Sequence, residues 1–106
     1  MAISATTVGT TLAAQVTDSI ATGVTVSNTG ATGTIALTVA TGVTGTRTTL
    51  TNNGTITSAG SVNAIGSNGN DFITITNNGT VNNTSTGRAL RLDESVTVTN
   101  NGQISS

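Results

Sequence analysis

The chain has 106 residues, the length of one domain, and Thr (26), Gly (13), Asn (12) and Ser (10) make up more than half of it. It contains no Cys, His, Lys, Pro, Trp or Tyr, which excludes a disulfide framework, thiolate chemistry and the usual near-neutral general base and metal ligand. Its seven charges (Asp18, Arg47, Asp71, Arg88, Arg91, Asp93 and Glu94, net −1) are too sparse for a phosphate-tracking basic face or a polybasic lipid patch, so neither nucleic acid nor membrane insertion is expected.

The N-terminal stretch, MAISATTVGTTLAAQV, has no positively charged start and no long apolar run, so neither a secretory leader nor a membrane span is visible in it. Beyond it the apolar residues are mostly Val, Ile, Leu and Ala interleaved with Thr, the composition of half-buried strands rather than of a disordered segment. An all-β chain with almost no helix is expected.

Four segments then align on a shared glycine: VTVSNTG (Val24 to Gly30), TTLTNNG (Thr48 to Gly54), ITITNNG (Ile73 to Gly79) and VTVTNNG (Val96 to Gly102). The glycines are 24, 25 and 23 residues apart. Inside each segment apolar residues alternate with Thr or Ser, the period of a strand with one buried face. Asn-Asn-Gly by itself suggests a hairpin turn, but hairpins would recur at about half this spacing. The repeat instead matches one coil of a β-solenoid, whose short strands pair in parallel with their equivalents one coil along. A second column, Ala64-Ile65 and Ala89-Leu90, follows the glycine by ten and eleven residues, and the same offsets in the first repeat give Ala40-Thr41.

These observations predict a single parallel β-solenoid domain over residues 1–106, of about four coils of roughly 24 residues. Residues 24–106 form the repeat coils, and residues 1–23 an imperfect first coil or an N-terminal cap. The expected inward columns are Val24, Thr48, Ile73, Val96; Val26, Leu50, Ile75, Val98; and Thr32, Ile56, Val81, Ile104. Asn28, Asn52, Asn77 and Asn100 form a fourth column, a structural ladder of stacked amides that also tolerates a left-handed bend. The outward residues Thr25, Ser27, Thr49, Thr51, Thr74, Thr76, Thr97 and Thr99 form a two-column hydroxyl face, about 7 Å across and about 4.8 Å per rung.

The cassettes TLTNNGTI, ITITNNGTV and VTVTNNGQI, with the intervening GRALRL, resemble coils of the right-handed parallel β-helices of bacterial autotransporter passenger and haemagglutinin-type surface proteins. The resemblance covers Thr48 to Ile104 well and Val24 to Gly45 loosely. It implies a right-handed β-helix at the cell surface or outside the cell, acting as a non-enzymatic adhesin-like display or structural module without cofactors. Its partners would be neighbouring coils of a longer passenger, further copies of itself, or a surface or glycan ligand.

Three further signals are weaker. Arg88, Arg91, Asp93 and Glu94 resemble the carboxylate and basic groups of β-helix enzymes that act on polysaccharides. Adjacent carboxylates in a strand point to opposite faces, however, so a catalytic pair is not formed and no catalytic residue is assigned. GSNGNDFI (Gly66 to Ile73) resembles the nonapeptide of calcium-binding β-rolls, but a single imperfect copy reads as a Gly-Asn-rich loop, and no metal site is assigned. Asp71 and Glu94 each lie eight residues before their glycine and are expected one rung apart. The Thr-x-Thr face resembles that of ice-binding solenoids, the alternative function. Finally, only four residues follow Gly102, so the coil holding Ile104 is expected to be left open, a template for head-to-tail stacking into fibres.

Overall fold

The computed structural model describes residues 2–67, 69 and 71–106. Twelve short strands run through them: β1 (Thr10–Leu12), β2 (Thr17–Ile20), β3 (Thr25–Ser27), β4 (Leu37–Val39), β5 (Thr48–Asn52), β6 (Thr55–Ser58), β7 (Ile65–Ser67), β8 (Ile73–Asn77), β9 (Thr80–Asn83), β10 (Leu90–Arg91), β11 (Val96–Asn100) and β12 (Gln103–Ser105). Every third strand returns to the same face. Face one is β1-β4-β7-β10, face two β2-β5-β8-β11 and face three β3-β6-β9-β12, with every neighbouring pair parallel. The chain is thus a three-sided parallel β-solenoid of about four turns, and no helix occurs among the described residues.

Side chains alternate along each strand, so one set turns inward and stacks on its equivalents above and below. Val26, Ile56 and Val81 fill one side of the core, Leu50, Ile75 and Ile73 a second, and Leu12, Val39, Leu37 and Ile65 the third, all essentially without solvent contact. Each such side chain contributes about 1.5–3 kcal/mol through burial. Ala36, Ala64 and Ala89 line the approach to face one and are buried there.

The register corrects the expected first repeat. VTVSNTG does not stack on TTLTNNG: Val26 pairs with Ile56, on face three. The strand above Leu50 is β2, with Thr17 opposite Thr49, Asp18 opposite Leu50 and Ile20 opposite Asn52. Val24 and Val26 therefore leave the two columns assigned to them, and Val26 heads the column of Ile56, Val81 and Ile104 in place of Thr32. The Leu50 column instead begins on the half-buried carboxylate-bearing Asp18. Likewise Leu37, not Thr41, is the partner of Ile65.

Loops cause the shift. From Thr17 to Thr49 the coil takes 32 residues, whereas Thr49 to Thr74 takes 25 and Thr74 to Thr97 takes 23. The extra length is spread over the three corners, two residues in 21–24, two in 28–36, which is folded by successive turns, and three in 40–47, where Val43 and Thr46 form an antiparallel bridge. The 24-residue spacing from Gly30 to Gly54 thus joins two different corners.

The two ends differ. Residues 2–9 add a partial rung above β2 and β3 through parallel bridges Ala2–Ser19 and Thr6–Val26, with Ile3 N–H donating to Ser19 O at 2.8 Å and Gly9 N–H to Ser27 O at 2.9 Å. Of the segment 1–23, residues 2–9 supply a cap and β1 and β2 two strands of the first coil. Under that cap Leu12, Ile20 and Val26 are at most 1% exposed. At the other end Val98, though in register with the buried Ile75, is 38% exposed, because no rung of the described residues lies beneath it.

Chain entry into face two uses left-handed backbone at non-glycine residues: Gln15 (φ 62°), Phe72 (φ 44°) and Ser95 (φ 59°). An L-residue there costs about 1–2 kcal/mol over glycine's unstrained conformation, partly offset by glycine's larger entropy in the unfolded chain. Ser95→Gly is accordingly expected to raise stability by about 0.5 kcal/mol, read as a higher thermal midpoint. A lowered midpoint would contradict the strain.

Candidate functional site

Face two carries the hydroxyl array. Its outward residues run in register as Thr17 and Ser19, Thr49 and Thr51, Thr74 and Thr76, Thr97 and Thr99. Thr25 and Ser27, expected as the first rung, lie instead on face three, opposite Thr55 and Thr57. Ser27 is also buried, its hydroxyl 3.3 Å from the Thr6 carbonyl it donates to and 3.2 Å from the Thr29 hydroxyl. The true first rung, TDSI, hid from the sequence because an Asp occupies its inward position and the 40–47 insertion displaces its spacing.

The array is not bare. Arg47, at the end of the 40–47 loop, lies over the start of β8, where its Nε donates to Thr74 Oγ1 at 2.9 Å and its Nη2 donates to the carbonyls of Ile73 and Ser95, each at 2.6 Å. One side chain thereby fastens the 40–47 loop to two later coils. Charge-assisted bonds of this kind are stronger than neutral ones but are weakened by solvent.

At the corner between faces two and three the amides of Asn52, Asn77 and Asn100 stack. Asn52 Nδ2 donates to Asn77 Oδ1 at 2.8 Å, and Asn77 Nδ2 donates to Asn100 Oδ1 at 2.9 Å. The same amides reach the backbone: Asn52 Nδ2 donates to Thr80 O at 3.1 Å, Asn77 Nδ2 to Gln103 O at 3.1 Å, and Asn52 Oδ1 accepts from Gly54 N–H at 3.1 Å. Asn28 is not a rung of this ladder. It sits one corner later, donating to Ser58 Oγ at 2.9 Å and Thr34 O at 2.7 Å and accepting from Ala59 N–H at 2.8 Å. Ile20 occupies its expected level.

A second ladder escaped the sequence reading. Asn78 donates to Asn53 and Asn101 to Asn78, each at 2.9 Å, on the exposed side of the same corner. The doubled Asn of Asn-Asn-Gly is its signal, since two adjacent residues that recur in register must each stack. None of Asn52, Asn77 and Asn100 has positive φ, and neither do Gly54, Gly79 and Gly102. The glycine is required by close approach, because a Cβ on Gly79 would lie 2.0 Å from Gly54 O, and one on Gly102 would lie 2.1 Å from Gly79 O.

The ionisable groups are placed as follows. Asp71 and Glu94 are one rung apart, with Asp71 N–H donating to Glu94 O at 3.3 Å, but their side chains diverge in environment. Asp71 is fully buried, its Oδ2 accepting from Asp93 N–H and its Oδ1 without a hydrogen-bond partner among the described residues. Asp93, Glu94, Arg88 and Arg91 are exposed. Of the loop resembling a calcium roll, Asn68 and Asn70 lie outside the described residues. Among the described residues no three acidic groups gather in a metal-holding cluster.

Ile104 is half-buried on the last rung, opposite Val81. No protein-family model, curated protein or solved structure matches the chain. Architecture and register therefore carry its classification: a parallel β-solenoid repeat protein of about four turns.

Proposed function

We propose that this chain is a non-enzymatic structural or display module of an extracellular or cell-surface protein, akin to the passengers of bacterial autotransporters and haemagglutinin-type proteins. The observation that carries the reading is the outward surface of faces two and three. Four stacked rungs hold Thr, Ser and Asn side chains in register on a backbone fixed by continuous ladders. Such a surface is rigid and hydrogen-bonding, with the Arg47 guanidinium the charge that crosses it, suited to spacing out or presenting a ligand-binding element or to meeting a surface or glycan directly. Surface labelling of the native cells with an antibody against the folded chain is the test. Signal on intact cells is expected, and signal only after permeabilisation would overturn the location.

Against an enzyme stands the geometry of the four acids: Asp71 buried beneath a backbone amide, Asp93 and Glu94 exposed neighbours in sequence, and Asp18 apart from them on the first coil, opposite Leu50. A panel of glycans is expected to yield no new reducing ends. Turnover that disappears in Glu94→Gln would reverse the assignment.

An ice-binding role is the second reading, favoured by the four complete Thr-x-Thr or Thr-x-Ser rungs of face two. It ranks second because the Arg47 guanidinium occupies the hydroxyl of Thr74 in the middle of that face. No ice shaping is expected from the wild type. Ice shaping abolished by Thr51→Lys and Thr76→Lys would put this reading first.

A further inference from the structure

The repeat joins two residues that are chemically hazardous together. Three of its corners read Asn-Asn-Gly, so Asn53, Asn78 and Asn101 each precede a glycine. An asparagine before glycine loses ammonia when the glycine nitrogen attacks its side-chain Cγ, because no Cβ on the second residue hinders the approach. All three asparagines are exposed at the corner between faces two and three. Sequence and exposure alone therefore mark them as sites of spontaneous deamidation.

The stack, however, engages both reacting groups. The Gly79 N–H donates to Asn52 O at 3.0 Å, and the Asn78 amide is gripped from both sides: its Nδ2 donates to Asn53 Oδ1 and its Oδ1 accepts from Asn101 Nδ2, each at 2.9 Å. One coil earlier Gly54 is buried, and its N–H donates to Asn52 Oδ1 at 3.1 Å. The attacking nitrogen must shed its proton and turn on Cγ, so each attack first costs a hydrogen bond to the stack and, at Asn78, two side-chain bonds as well. Nor is the glycine open to exchange for a safer residue. A Cβ on Gly79 would lie 2.0 Å from Gly54 O, and one on Gly54 would lie 2.3 Å from Val24 O. Close stacking thus demands the hazardous pair and disarms it.

We infer that Asn78-Gly79, and Asn53-Gly54 with it, is a self-modification site that reacts only when its corner leaves the stack. On opening, the Gly79 nitrogen gives its proton to solvent base and attacks Asn78 Cγ. The side-chain nitrogen leaves as ammonia, and a five-membered imide remains. Water then adds to one of the two imide carbonyls. Cleavage on one side gives aspartate, and cleavage on the other gives an isoaspartyl link whose main chain runs through Cβ and is one carbon longer. The net change is asparagine plus water to acid plus ammonia. The extra carbon displaces Gly79 at the point where the coils leave no room for a Cβ, so the isoaspartyl chain cannot restack. The corner therefore records its own opening irreversibly. The inference goes beyond the display reading and does not rest on it.

Peptide mapping by mass spectrometry, with isoaspartyl content read by enzymatic methylation, follows both pairs in the full chain. In native buffer Asn53 and Asn78 should react at least about tenfold more slowly than in denaturing urea, because the rate is set by the open fraction. Val81→Ala removes buried methyl groups and leaves both Asn-Gly pairs intact. It should speed the native rates several-fold and leave the urea rates unchanged. If it does not fold, urea below the wild-type midpoint supplies the same loosening. The purified chain with isoaspartate at position 78 should melt well below Asn78→Asp, which carries the same charge on a main chain of normal length. Native rates within about twofold of the unfolded ones, a loosened chain that reacts no faster, or equal melting of the isoaspartyl and Asn78→Asp chains would each overturn the inference.

Discussion

Replacing Gly79 by alanine is expected to cost about 3 kcal/mol or more, a large share of the ~5–15 kcal/mol that holds a domain of this size together. The new Cβ would lie 2.0 Å from the Gly54 carbonyl oxygen and 3.0 Å from the carbonyl carbons of Asn53 and Gly54. These are backbone atoms of the coil above, so no rotamer change relieves the clash. The coils would have to part, and the hydrogen bonds from Asn78 and Gly79 to Asn52 O, at 2.8 and 3.0 Å, would stretch with them. Because Gly79 does not have positive φ, Gly79→Asn should fare no better than Gly79→Ala, whereas a glycine kept for a left-handed turn would accept asparagine. Gly33→Ala is the control, since nothing lies within 4 Å of its would-be Cβ. It should be neutral or stabilise by up to about 1 kcal/mol through the unfolded chain. Urea unfolding followed by circular dichroism measures all three, and a Gly79→Ala midpoint equal to wild type would refute the stacking argument.

The second large effect is expected at Asn77. Its side chain accepts from Asn52 at 2.8 Å and donates to Asn100 at 2.9 Å and to the carbonyls of Gln103 and Gly79 at 3.1 and 3.2 Å, and it is fully buried. Asn77→Ala removes these bonds and leaves the buried amide of Asn52, on the coil before, short of a partner away from water, while Asn100 and Gln103 on the exposed coil after it turn to solvent, so a loss of about 1–3 kcal/mol is expected. Asn100→Ala should cost less than about 1 kcal/mol, because Asn100 ends the ladder on an exposed rung where water replaces the lost partner. Ile20 shows how the column tolerates an apolar residue at its other end: it stands level with Asn52, whose own Oδ1 is satisfied by Gly54 N–H. Equal losses at Asn77 and Asn100 would mean that the ladder has no interior, and hence that the amides act singly.

The sequence by itself determined the architecture of the last three coils. Alternating Ile-Thr-Ile-Thr decides which side chains face inward, because a strand has a period of two. Recurrence of Asn-Asn-Gly every 23 to 25 residues from Gly54 onward decides that equivalent strands stack in parallel. The columns of Leu50 with Ile75, Ile56 with Val81, and Asn52 with Asn77 and Asn100 follow from those two periods alone.

Only the tertiary structure decided the first coil and the ends. A spacing of 24 residues between Gly30 and Gly54 looks like the others, but sequence distance does not reveal how much chain is looped out of a turn, and residues 21–24, 28–36 and 40–47 share that excess. Hence Thr17 and Ser19, not Thr25 and Ser27, complete the hydroxyl face, and Asn28 serves another corner. The reason for the repeated glycine was equally hidden. Positive φ and close approach select the same residue, and only the 2.0 Å separation from the coil above distinguishes them. Whether a rung is core or surface depends on what lies beyond it: Ile75 and Val98 are equivalent in sequence, and among the described residues a further coil covers the first and none covers the second, so one is buried and the other 38% exposed.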